Sequence, residues 1–309
     1  MSRAATVAEA AAALARGELV IVPTETVYGL AADARDPAAV ARIFEAKGRP
    51  RFNPLIAHVA DLAAAEAIAD FDPLSLSLAE AFWPGPLTLV APARTGGACD
   101  LARAGLETVA VRVPGHPLLL ELLQRFGGPV AAPSANRSGR PSPTTFADAV
   151  DETGTFAAAA LDGGPCAVGV ESTVVAVIEG RARLLRPGGL ARSEIERVAG
   201  PLLEAEADAH RSPGRLALHY APSAPVRLNA KARQPGEAFL AFGPCAFQGE
   251  GVWNLSPAGD LREAAANLFA YLRAADRTSP LAIAVAPIPE HDLGEAINDR
   301  LRRAAGHIG

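Results

Sequence analysis

Three cations fall within five residues at Lys47-Gly-Arg49-Pro-Arg51, and Phe52-Asn53-Pro54 follows at once. Lysine and arginine compensate oxyanions, and a glycine between them lets backbone N–H groups approach a ligand, so the segment has the make-up of a phosphate site. A second polar cluster, Ser134-Ala-Asn136-Arg-Ser138, comes far downstream, directly after an apolar run. No Gly-x4-Gly-Lys-Ser/Thr run occurs, so a nucleotide held here does not rest on a P-loop. An isolated Lys-x-Arg is more often a solvated turn, and the other polar segments of the chain shift that balance.

Thr24-Glu-Thr26-Val-Tyr-Gly29 is a hydroxyl-rich loop after a short apolar run. Alone it reads as a capped turn. His58 has apolar neighbours, and its ordinary reading is a satisfied core histidine. Arg112 interrupts Val109-Ala-Val-Arg-Val113. An arginine there needs a partner, and a carboxylate ligand or an acidic side chain would serve equally. Glu171-Ser172-Thr173 breaks another apolar run, which suits a site wall better than a core. Arg186 precedes Pro-Gly-Gly189, a sequence able to aim a guanidinium at a phosphate. No Gly-x-Ser-x-Gly elbow is present and no Ser-His-Asp order assembles. Binding and orientation are therefore expected to carry the rate, not a side-chain nucleophile.

These residues need a frame. Thr6-Val-Ala-Glu9 is a capping box that opens a helix running to Arg16. A strand is expected at 19–22. Asp36-Pro37 caps a helix with Val40, Ile43 and Phe44 on its apolar face, and the cation loop follows it. Further strands are expected at 55–59, 87–91, 108–113, 129–132, 170–178 and 182–185, with helices at 61–69, 73–82 and 117–126. Several neighbouring strands lack an intervening helix, which predicts an α/β domain with a mixed sheet. Residues 201–225 hold Ser212-Pro-Gly214 and Ala221-Pro-Ser-Ala-Pro225 and read as a linker between a domain at 1–200 and a smaller α/β unit at 226–309.

The 309 residues suit two domains. A net charge of -5 argues against a chain that binds nucleic acid over its whole surface. Cys99, Cys166 and Cys245 form no Cys-x2-Cys pair, which fits a reducing compartment. The six histidines show no His-x3-His spacing, so zinc is not expected. With no secretory pattern and no apolar span of membrane length, the expectation is a cytoplasmic protein without a membrane partner.

In order along the chain, Pro23-Thr-Glu-Thr-Val-Tyr-Gly-Leu30, Lys47-x-Arg49, Asn53-Pro-Leu55, Trp83-Pro-Gly-Pro-Leu-Thr88, Val111-Arg-Val-Pro114, Ser134-Ala-Asn136, Glu171-Ser-Thr-Val174 and Leu185-Arg-Pro-Gly188 resemble the YrdC-like family of threonylcarbamoyl-AMP synthases. Ser212-Pro-Gly-x4-His219-Tyr220-Ala-Pro222 looks like the linker of the long, two-domain form, and Ala296-Ile-Asn-Asp-Arg-Leu-Arg302 is similar to its C-terminal domain. One departure is Leu218, with Arg215 and Leu216, where the family often has a more basic run. The resemblance implies a YrdC-like mixed-sheet domain followed by a small, Rossmann-like α/β domain. It implies that L-threonine, bicarbonate or CO2, and ATP become threonylcarbamoyl-AMP, pyrophosphate and water, for N6-threonylcarbamoylation of adenosine 37 in tRNA.

By matching position, the resemblance places Lys47, Arg49, Ser134 and Asn136 at the reacting phosphates. Asn53, Thr108, Ser142, Arg186 and Tyr220 join them around ATP. Thr26, His58, Arg112, the backbone of Ala132, and Ser172 hold threonine, and Tyr220 closes over the site with His219. It also implies Mg2+ carried with ATP by phosphates and water, and downstream tRNA threonylcarbamoyl transferase proteins as partners. Direct tRNA contact is left open. An RNA-binding module is the competing reading, weakened by the net charge and the lack of aromatic residues interleaved with basic ones. Carbamoyl transfer, as in hydrogenase-maturation proteins with a similar domain, comes third, since the zinc-finger and acylphosphatase segments of those proteins are missing here.

Overall fold

The structure, a computed structural model, describes residues 4–204, 220–245 and 249–306. Among these, ten strands make one mixed sheet. Their spatial order is Leu203–Glu204, Arg181–Arg186, Thr173–Ile178, Leu87–Pro92, Thr108–Arg112, Ile56–His58, Val130–Ala131, Gly29–Asp33, Leu19–Val22 and Ala157–Ala160. A second sheet pairs Val226–Arg227, Ala282–Val285, Glu237–Ala241 and Val252–Asn254, in that order and all parallel. The mixed sheet and the smaller α/β unit are as expected.

One register matters most for function. The Ile56–His58 and Thr108–Arg112 strands run parallel, with His58 opposite Arg112 and Ile56 opposite Ala110. Side chains alternate faces along a strand, so His58, Arg112, Ile56, Ala110 and Thr108 share one face. Val111, Val109 and Ala57 point the other way, into the main core with Ile43 and Phe44 of the Pro37–Lys47 helix. That helix is capped by Asp36, whose carboxylate accepts the Ala38 N–H at 2.8 Å, and it ends at Gly48. Gly48 adopts φ +58°, a left-handed turn that glycine makes without a Cβ penalty, and the chain then turns Arg49 toward the sheet. The Trp83–Pro84 peptide is cis, and Gly85 beyond it offers its carbonyl to Arg112 Nε at 3.1 Å.

Several elements differ from the expectation, each for a physical reason. The strand expected at 170–178 begins only at Thr173, because Glu171 and Ser172 are engaged by side-chain partners and not by a ladder. Ala157–Ala160 is a strand made wholly of alanine, and two alanines sit in the Gly29–Asp33 strand. Their own propensity favours helix; pairing on both sides of Leu19–Val22 overrides it. The Phe146–Thr153 and Arg192–Ala199 helices also went unread, although Thr145 caps the first by accepting the Asp148 N–H at 3.2 Å. Leu203–Glu204 extends the large sheet into the stretch read as linker, and residues 205–219, including His219, lie outside the described residues. Among the described residues no helix is long and apolar enough to cross a membrane.

Candidate functional site

One cavity opens on the face that carries His58 and Arg112. Its volume is about 60 Å³. Thr26, His58, Arg112, Ala132 and Ser172 line it together with Arg49, Ser134, Arg186 and Tyr220. Thus the residues assigned to threonine and four of those assigned to ATP meet in one place.

Arg112 is almost fully buried, and each of its three guanidinium nitrogens has a partner. Nε donates to Gly85 O, Nη1 donates to Thr26 Oγ1 at 3.0 Å, and Nη2 donates to Glu25 Oε1 at 2.6 Å. The partner that the sequence left open is therefore an acidic side chain in this structure. Glu25 keeps one carboxylate oxygen buried without a partner among the described residues. Burial raises its carboxyl, but Arg112 beside it more than compensates and holds it below the usual range. Thr26 is oriented in turn by Thr24, whose hydroxyl sits 2.7 Å from it and donates to Val27 O at 2.7 Å. The Thr24 loop is thus a preset bracket for Arg112.

His58 is buried, and its Nδ1 has no partner among the described residues. Burial, with Arg112 next to it, lowers its pKa to about 3, so the imidazole is neutral in any physiological buffer. The folded pKa lies below the ordinary value of 6.5, so the stabilisation is complete above pH 6.5 and is lost as pH falls toward 3. Between pH 7 and pH 5 this should cost about 2 kcal/mol, a loss that His58→Gln removes. Urea unfolding of both proteins at the two pH values checks this, and equal pH dependence in wild type and variant would refute it.

At the opposite wall, Arg186 donates to Ser172 O at 2.8 Å, and the Ser172 hydroxyl lies 2.7 Å from that of Thr88. Glu171 lines the cavity with Oε1 accepting from Ser142 Oγ at 2.5 Å and Oε2 accepting from Arg300 Nε at 2.7 Å. Burial raises its carboxyl, yet Arg300, Arg186 and the Ser142 hydroxyl bring its pKa down to about 2. Arg49 donates to Pro54 O at 3.3 Å, and its Nε is buried with no partner among the described residues. Burial and the charge of Arg186 lower its pKa to about 10 against an opposing effect of Tyr220. Arg49 and Arg186 thus form a cationic corner beside the backbone of Ser134.

The remaining assigned residues stand behind or beyond this lining. Lys47 is buried beneath the Ser134–Asn136 turn, its ammonium donating to the carbonyls of Ser134 and Asn136. Burial and then Arg49 push its pKa well below the ordinary value, against Glu152 and Glu171. Asn136 donates to Arg137 O and Arg140 O at 2.8 and 2.9 Å, which braces the loop. Ser142 contacts the site through Glu171. Asn53 is buried beside the cation loop, and Thr108 extends the Arg112 face toward the end of its strand. Sequence reasoning assigned no role to Glu25 or to Arg300. Arg300 carried a readable signal, a charge on the apolar stripe of Ala296, Ile297, Leu301 and Ala304.

A mixed α/β sheet bearing an open cavity, with a paired arginine and a cationic corner on its lining, has the make-up of a site for small anions. The chain belongs to the Sua5, YciO and YrdC family, in the long two-domain form of the threonylcarbamoyl-AMP synthases. The family described as "Telomere recombination" matches residues 12–188, and "Threonylcarbamoyl-AMP synthase, C-terminal domain" matches residues 190–306. The threonylcarbamoyl-AMP synthase of Bacillus subtilis is 39% identical over 321 residues, covering 97% of this chain and 93% of its own length. That of Pyrococcus abyssi is 42% identical, covering 96% and 93%. The crystal structure of P. abyssi Sua5 complexed with L-threonine superposes with a TM-score of 0.89 at 40% identity, covering 97% of this chain and 94% of that one.

Proposed function

We propose that this chain condenses L-threonine, bicarbonate or CO2, and ATP into threonylcarbamoyl-AMP within the cavity described, and that the product serves tRNA modification in the cytoplasm. The observation that carries the reading is the shared lining, with Arg112 and His58 facing the same space as Arg49, Ser134 and Arg186. Threonine's carboxylate binds Arg112 beside the Glu25 pair, and Thr26 and Ser172 orient its polar groups. The amine adds to CO2, giving up a proton to bulk water, or condenses with bicarbonate with loss of water, and either route forms an N-carboxylate. That carboxylate attacks the α-phosphorus of ATP, the new O–P bond forms, and the bond to pyrophosphate breaks with the electron pair leaving on pyrophosphate. Arg49 and Arg186 compensate the charge that develops on the phosphoryl oxygens, and Lys47 holds the Ser134–Asn136 turn in place for it. His58, neutral, shapes the threonine side without adding a cation that would compete with Arg112.

Magnesium enters this scheme with the triphosphate. Glu171 has the one carboxylate on the described lining, and both its oxygens are taken by Ser142 and Arg300. Among the described residues no group of three or more His, Cys, Asp or Glu stands ready for a metal. The protein side therefore does not fit a resident ion, and no step is routed through one. Thr108, Asn53 and Asn136 support the nucleotide from outside the lining, and downstream tRNA threonylcarbamoyl transferase proteins receive the product.

Tyr220 closes the site from the chain that leads into the second unit. It is 1% exposed, adopts φ +65°, and packs its ring 5.4 Å from that of Phe269. Tyr220→Ala should raise KM for ATP roughly tenfold through loss of this packing and enclosure, whereas Tyr220→Phe keeps most of it. Steady-state kinetics decide, and an unchanged KM in the alanine variant removes Tyr220 from the site. The proposed reaction itself is tested by pyrophosphate release. Release should require threonine and bicarbonate together, and release indifferent to either one contradicts the reading.

A further inference from the structure

The two α/β units are locked together by side chains that end at the cavity wall. Arg300, on the Leu293–Ala304 helix, is fully buried, donates to Glu171 Oε2 at 2.7 Å and to Pro187 O at 3.0 Å, and lies 5.2 Å from the centre of the Tyr220 ring. Arg273, on the Leu261–Arg277 helix, donates to Glu152 Oε1 at 3.0 Å and to Pro141 O. Glu152 in turn accepts the Arg137 N–H at 3.0 Å. So the polar loop from Ser134 to Ser142 is fastened by one arginine of the second unit through Glu152 and by the other through Glu171 and Ser142. The helix that supplies Arg273 lies against Gly169, where a Cβ would fall 2.3 Å from Ala265 O. Only a glycine admits that approach.

We propose that Arg300 is a positioning residue for the nucleotide half of the site. It pairs with Glu171 and so fixes Ser142, leaving Arg186, held by Ser172, to face a wall able to accept a polyanion. The inference rests on the proposed reaction, in which a triphosphate lies against that wall. Glu171 is a carboxylate facing the cavity, and like charge beside a phosphate costs affinity unless it is compensated. The compensating charge that pairs with Glu171 directly comes from the second unit, with Arg186 of the first unit nearby, which gives the second unit a part in the chemistry without touching substrate.

The test uses the full chain and reads binding of ATP and of threonine separately by titration calorimetry. Arg300→Met should weaken ATP roughly 10- to 100-fold, the range for losing a charged hydrogen-bonded pair. Threonine affinity should change by less than about twofold, since the Arg112 bracket is built from other elements. Adding Glu171→Gln to Arg300→Met should restore most of the ATP affinity, because the uncompensated charge is gone. Arg300→Lys, which keeps the charge but loses the fork, should fall between wild type and Arg300→Met. Equal loss of both ligands, or no recovery in the double variant, would mean that Arg300 only holds the fold and would overturn the proposal. So would unchanged ATP affinity in Arg300→Met. A wild-type protein that binds threonine but no ATP would instead defeat the functional reading, and the two failures are told apart by the wild-type titration.

Discussion

Arg49→Ala should lower threonine-dependent pyrophosphate release roughly 10²- to 10³-fold, the usual effect of removing one preorganised donor to developing charge. Arg49 lies at the cationic corner with a buried Nε that has no partner among the described residues, and its side-chain hydrogen bond is a long one to Pro54 O. An arginine satisfied by its own fold would carry more than this. The loss should fall mainly on kcat, since the charge it meets grows toward the transition state. The fold should survive, because among the described residues the Arg49 side chain makes one long hydrogen bond and no ion pair. Stopped pyrophosphate assays with an unfolding curve alongside provide the check. Turnover that persists while RNA affinity falls would favour the RNA-binding reading instead.

Arg112→Met should have a comparable effect of different kind. The charge-assisted contacts proposed to threonine's carboxylate would disappear, and kcat/KM for threonine should fall at least about 10²-fold. A second loss follows from Glu25. With Arg112 gone, its carboxylate remains beside the amino-acid site and repels the substrate. Glu25→Gln in the Arg112→Met background should therefore recover part of the loss, but not the part owed to the missing guanidinium. Arg112→Lys should fail to rescue, because one ammonium cannot serve Gly85 O, Thr26 Oγ1 and a carboxylate in the planar geometry seen here. Threonine saturation curves for the three variants settle the matter, and a lysine variant with wild-type KM would refute this geometry.

Much of the frame was legible because the chain states it locally. Asp36-Pro37, the Thr6–Glu9 box and the β-branched run at Leu19–Val22 each announce an element through capping or propensity. The mixed sheet followed from strands with no helix between them. The alanine strands were illegible because pairing, not propensity, makes them. The site was legible as a set of loops but not as a set of contacts. Arg112 and its partner Glu25 are 87 residues apart in sequence, and nothing local distinguishes that partner from a ligand. Lys47 reads as a residue that faces substrate, yet it lies under the Ser134–Asn136 turn, since only the folded loop presents those two carbonyls. Arg273 and Arg300 are charges on apolar helix faces that went unassigned, because their targets lie across the interface between the two units.

Incubating the protein with ATP, L-threonine and 13C-labelled bicarbonate, then weighing the adenylate by mass spectrometry, asks whether one cavity serves both substrates. The account predicts an AMP conjugate bearing threonine and the labelled carbon, formed in step with pyrophosphate. An unlabelled threonyl adenylate, or pyrophosphate with no conjugate, would contradict it.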